Sequence, residues 1–182
     1  MGPGEVGDRQ SASCALAHWH IAAGDFEAAR AMLVTMRRVT RRANSPPSVV
    51  SPVCAPAVEA QLAAASGDGG SAAEALARLD STLLATSNYR DQLVTVGNIL
   101  AARLHERRGD PRRSLEIVQR RAAFGMFLST QLREEGRLAA LIGGRATAVR
   151  AYRHYVALRS GAEPRLKPDM QRARRELGQL EK

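Results

Sequence analysis

The apolar positions of this chain recur at intervals of three and four residues, and the pattern is interrupted at glycines. Leu16, Ala17 and His20 precede Gly24, and Ala29, Leu33 and Met36 follow it. Ala60 and Ala63 precede Gly67, with Leu76, Leu79 and Leu83 after it. Leu115, Ile117 and Val118 follow Gly109, and a fourth pair of segments flanks Gly143. Such spacing places one apolar stripe on each of two consecutive helices, so each glycine marks the turn of a helical hairpin. Glycine suits that place because the residue ending a helix often needs a positive φ. An Asp follows three of the four turns (Asp25, Asp68, Asp110) and can cap the next helix. Pro111 fits a first helical turn, where its missing N–H costs nothing. Alanine, leucine and arginine dominate and aromatics are 4%, a composition that favours helix throughout.

The glycines lie 43, 42 and 34 residues apart. The linker 43–52, ANSPPSVVSP, breaks the helical pattern and accounts for the long first interval. The first unit runs from about Ala12 to Arg42, the second from Val53 to Thr86, the third from Tyr89 to Ala123, and the fourth ends near Arg159. In the fourth, QLREEGRLAALIGGRATAVRAYRHYVAL (131–158), Gly136 and Ala139 face Ala148 and Tyr152 across the turn at Gly143. A large side chain at Gly136 or Ala148 would push the two helices apart.

Small residues, then an alanine, then an aromatic at these offsets resemble the tetratricopeptide repeat (TPR) family. The match has two departures: Leu132 stands where the pattern has Trp, and Glu135 where it has Leu before the glycine. The resemblance covers about residues 12–182. It implies an all-α, right-handed TPR-like solenoid of about four hairpins, with protein or peptide binding in a concave groove lined by the first helix of each pair. The segment from Arg133 to Leu177 is similar to the TPR regions that end bacterial serine/threonine kinases and transcriptional activators, which implies a regulatory or signalling setting. Residues 1–11 are expected to form a disordered tail, 12–166 the repeat array, and 167–182 a capping helix. Met170, Ala173, Leu177 and Leu180 share one face of that last helix, as a cap over the open end of a stack requires.

The formal charge of +9 is uneven. Residues 1–50 carry 6 basic and 4 acidic groups, residues 51–100 carry 2 and 5, and residues 101–182 carry 19 and 9. The sums are +2, −3 and +10, so the excess lies in the last segment, which would attract acidic partners. Arg103 and Arg107 share a helical face by their i,i+4 spacing, as do Arg133 and Arg137. Aligned on the turn glycines, these four face the groove. They form a candidate peptide-binding clamp for carboxylates, unless Glu106 and Glu134 pair with them. Nucleic-acid binding is the alternative, favoured by Arg172, Arg174 and Arg175 but lacking aromatics for stacking.

No Ser–His–Asp or Cys–His arrangement, P-loop or dinucleotide fingerprint occurs, so no catalytic residue is assigned and a non-enzymatic scaffold is expected. No cofactor is implied. Cys14 and His18 share a helix face without a visible third ligand, so no metal site is assigned. Cys14 and Cys54 read as reduced core residues, and His105 and His154 as core or boundary residues. No apolar run is long enough for a membrane span, and the N-terminal segment has no export signal, so a cytoplasmic location is expected.

Overall fold

The computed structural model describes residues 3–42, 51–86, 92–120, 127–161 and 163–182. The described residues contain nine α-helices and no strand: α1 (Pro3–Ala23), α2 (Phe26–Arg42), α3 (Cys54–Ala65), α4 (Gly69–Ala85), α5 (Gln92–Arg107), α6 (Pro111–Val118), α7 (Leu128–Leu141), α8 (Arg145–Leu158) and α9 (Lys167–Leu180). Successive helices pair as α1/α2, α3/α4, α5/α6 and α7/α8, and α9 packs on α8. The expected starts and ends at Tyr89 and Ala123, and most of the linker 43–52, lie outside the described residues.

The turns follow the sequence reading closely. Gly24, Gly67, Gly109 and Gly143 all have φ between 78° and 83°, a conformation that disfavours any residue with a Cβ. After three of them an aspartate carboxylate accepts backbone N–H groups of the next helix. Asp25 takes Ala28 at 3.1 Å, Asp68 takes Gly70 at 3.0 Å, and Asp110 takes Arg113 at 3.0 Å. Ser71 N–H and hydroxyl also donate to Asp68, which holds that carboxyl below its ordinary range.

Within hairpins the small residues sit where close approach needs them. Ala139 and Ala148 are fully buried, and a Cβ on Gly136 would come within 2.7 Å of the Tyr152 ring. Gly97 does the same between units, where a Cβ would meet Val53 at 2.6 Å and Leu83 at 2.9 Å. Ala29, Leu33, Met36, Ala60, Leu76, Leu79, Leu83, Ile117 and Val118 are all core residues. Leu132, in the place of the pattern's Trp, is also buried. Glu135, the second departure, puts a carboxylate into the interior, where Gln119 Nε2 donates to it at 3.2 Å and Arg150 approaches to 3.9 Å. At the end of the stack Met170 and Ala173 of α9 turn inward, with Leu177 and Leu180 packed against Leu132, Tyr152 and Tyr155.

α1 starts at Pro3, a proline suited to a first turn. Three expectations are corrected. Leu16 is 50% exposed: the inward face of α1 carries Cys14 and Ala17, and Leu16 lies across the helix from them. His154 is exposed on α8, which turns Ala151, Tyr152 and Tyr155 inward instead. Cys14 and Cys54 are joined in a disulfide with Cα atoms 5.9 Å apart. The stack sets α1 beside α3, so two cysteines 40 residues apart meet in the core, with Met36 Sδ 3.3 Å from Cys54 Sγ.

Candidate interaction groove

The first helices of the first three hairpins lie side by side, α1 against α3 and α3 against α5. Between them opens a groove of about 420 Å³. His18 and Ile21 of α1, Gln61 of α3, and Leu100, Arg103 and Arg107 of α5 line it. The lining includes two arginines, a histidine and no carboxylate. His18 is fixed in place: Nδ1–H donates to Gln61 Oε1 at 2.7 Å, and Nε2 lies 3.7 Å from Cys14 Sγ, one helical turn back. The disulfide therefore lies directly behind the groove wall.

The four arginines expected to form a clamp are divided. Arg137 makes a bidentate bond to Glu106, with Nη1 and Nη2 each 2.6 Å from a carboxylate oxygen. Its Nη2 also meets Glu134 at 2.8 Å, and Arg103 donates to the other oxygen of Glu134 at 3.0 Å. Arg103, Glu106, Glu134 and Arg137 thus form a network bridging α5 and α7. The bond from Arg137 holds the Glu106 carboxyl below its ordinary range. Burial pushes the Glu134 carboxyl upward, but hydrogen bonds from Arg137 and Arg103 outweigh it and leave the pKa lowered. The Arg137 pKa is raised in return, chiefly by Glu106.

Arg133 turns away to Asp169 of α9 at 3.1 Å. Arg107 stands apart from all of these, exposed between the groove and the smaller cleft at the Gly67 turn, and it makes no ion pair among the described residues. Arg103 and Arg107 line the groove, then, while Arg133 and Arg137 tie elements together. Nothing in the sequence singles out His18, Gln61 and Leu100 as groove residues. The spacing of His18 to Cys14 is visible there, but its meaning depends on α3 lying alongside.

Two further polar clusters stand out among the described residues. His105 Nε2–H donates to Asp80 at 2.9 Å, with Arg113 at 3.5 Å, which joins the second hairpin to the third. The Tyr152 hydroxyl donates to Glu176 of α9, and burial followed by that carboxylate raises the phenol pKa well above its usual value. Among the described residues no cluster of three or more His, Cys, Asp or Glu side chains is placed to hold a metal ion. No described helix is long and apolar enough to cross a membrane.

The described architecture has counterparts among solved structures. A protein of Podosopora anserina, described as a kinesin light chain with nearly identical TPR-like repeats, superimposes with a TM-score of 0.62 at 16% identity. The match covers 99% of this chain and 87% of that one. A singly substituted form of the same protein gives 0.63 at 17% identity over the same shares. The fold is a TPR-like solenoid. No family model matches the sequence, and no curated protein does either. At this identity the likeness establishes the fold.

Proposed function

We propose that this chain is a non-catalytic scaffold that holds an acidic segment of a partner protein along the concave face of its first three hairpins. The supporting observation is Arg107, an exposed guanidinium with no ion-pair partner among the described residues, beside a groove whose lining has no carboxylate. Ile21, Leu100 and Leu104 supply apolar contact, and Arg107 with Arg103 supplies the donors that a carboxylate-bearing peptide needs. This moves the binding role from the four arginines of the third and fourth hairpins to the two on α5. A regulatory role of the kind implied by the sequence resemblance is consistent with such a scaffold. The cytoplasmic location expected from the sequence sits less easily with the disulfide, which forms and persists in oxidising compartments.

A fluorescein-labelled peptide of alternating glutamate and leucine tests the reading by anisotropy. Arg107→Glu should weaken binding by more than about tenfold, as loss of a charge-assisted contact does. Arg172→Glu, on the cap helix, should leave it unchanged. Equal affinity for wild type and Arg107→Glu would defeat the groove assignment. Tight binding of duplex DNA at physiological salt, abolished by Arg172→Glu, would replace it with the nucleic-acid reading.

A further inference from the structure

One cluster in the molecule combines a nucleophile, a base and a support for that base. Cys14 and His18 share a face of α1, and the fold brings Cys54 and Gln61 of α3 up to it. The imidazole stands between the two helices. Its Nδ1–H is committed to Gln61 Oε1 at 2.7 Å, which leaves the Nε2 lone pair for Cys14 Sγ, 3.7 Å away. Cys54 Sγ instead has Met36 Sδ at 3.3 Å, a thioether that takes no proton. Of these contacts, only that of Cys14 offers a base, so the two sulfurs are unequal. The charges that face the cluster favour a thiolate: Arg103 and Arg107 of α5 line the same groove as His18 and Gln61, and no carboxylate lines it. Both sulfurs are buried, while His18 reaches the groove and is partly exposed, which gives a small oxidant its approach.

We propose that Cys14 and Cys54 form a reversible redox site for hydrogen peroxide, with Cys14 as the attacking thiol, His18 as its base and Gln61 positioning His18. In the reduced chain His18 Nε2 takes the Cys14 proton. The thiolate attacks one peroxide oxygen and the O–O bond breaks. The departing hydroxide takes the proton from His18 and leaves as water, and Cys14 is then a sulfenic acid. Cys54 attacks the Cys14 sulfur, the S–O bond breaks, and the hydroxide leaves with the Cys54 proton as a second water. The product is the Cys14–Cys54 disulfide. A dithiol reverses the oxidation: it becomes a disulfide itself, and its two protons pass to Cys14 and Cys54.

The test reduces the full chain with a dithiol, removes the dithiol, adds hydrogen peroxide and follows the loss of free thiol. At about pH 7 the folded wild type should react more than about tenfold faster than the same chain in urea, whose thiols ionise at about 8.5. His18→Gln should lose most of that advantage at about pH 7 and match the wild type at about pH 9, where a thiol ionises without help. Gln61→Leu should slow the reaction as well, and Gln61→Glu, which keeps an acceptor for Nδ1–H, should restore it. In Cys54→Ser the oxidation should stop at a sulfenic acid on Cys14 that dimedone traps, whereas Cys14→Ser should leave Cys54 unlabelled over the same exposure. Each variant should keep the helical circular dichroism of the wild type. Equal wild-type rates in buffer and in urea would overturn the proposal. So would a His18→Gln rate that is unchanged, or equally depressed at both pH values, or labelling of Cys54 as fast as that of Cys14.

Discussion

Gly136 lies against the ring of Tyr152 so closely that a methyl group on its Cα would stand 2.7 Å from Cδ1 and 2.8 Å from Cε1. The ring has little room to retreat, because it is buried and its hydroxyl is held by Glu176 on the far side. Gly136→Ala is therefore expected to lower stability by ~1–3 kcal/mol through overpacking. This is despite the gain of about 1 kcal/mol that alanine normally brings to a helix interior. Urea denaturation followed by circular dichroism measures it, and a stabilised variant would show slack between α7 and α8.

The bridge between α5 and α7 should respond to both mutation and acid. In a double-mutant cycle, Arg137→Ala and Glu106→Gln are expected to show a coupling energy of up to about 1 kcal/mol, since the pair is partly exposed. The Glu106 and Glu134 pKa values are lowered from 4.5, so the stability these carboxylates contribute is present above that value and lost as pH falls through the lowered ones. The melting temperature of Glu106→Gln should accordingly fall less steeply below pH 4.5 than that of the wild type. Parallel acid profiles would mean that Glu106 gains nothing from Arg137.

Reduction of the Cys14–Cys54 bond should release the first hairpin from the second. With the cysteines 40 residues apart, loop-closure entropy assigns the bond ~2–4 kcal/mol. Denaturant midpoints with and without a thiol reductant, compared with Cys14→Ala/Cys54→Ala, should show a loss of this size. Two thiols titrated in the denatured, unreduced protein would show that the bond does not form.

Removal of residues 167–182 should uncover Leu132, Tyr152 and Tyr155, which pack beneath α9. The shortened protein is expected to melt at a lower temperature and to bind a hydrophobic dye, because these side chains would then form an exposed apolar patch. An unchanged melting temperature and no dye binding would mean that α9 protects nothing.

Features carried by residues near one another in the chain are legible in the sequence itself. Gly24, Gly67, Gly109 and Gly143 mark their turns, Asp25, Asp68 and Asp110 their caps, and Met170 with Ala173 the inward face of the last helix. What escapes such a reading depends on how one hairpin lies on the next. The disulfide joins α1 to α3, and neither cysteine indicates its partner by spacing. The arginine pairs share helix faces as expected. Counted from the turn glycines, however, Arg103 and Arg137 occupy the equivalent position six residues before Gly109 and Gly143. Those two meet the same carboxylate, Glu134, while Arg133 pairs with Asp169 and Arg107 has no ion pair among the described residues, so the supposed row of four cations is divided.

The Cys14–Cys54 bond also changes where this molecule can begin to come apart. An array of stacked repeats ordinarily frays from its ends, because a terminal unit has a neighbour on one side only. Here the first unit is stitched covalently to the second, and the last lies under a helical lid. The weakest seam then moves inward, to the junction of α5 and α7, where long charged side chains span the gap. Breathing of this chain would open there, as a hinge between the first three hairpins and the fourth with its lid.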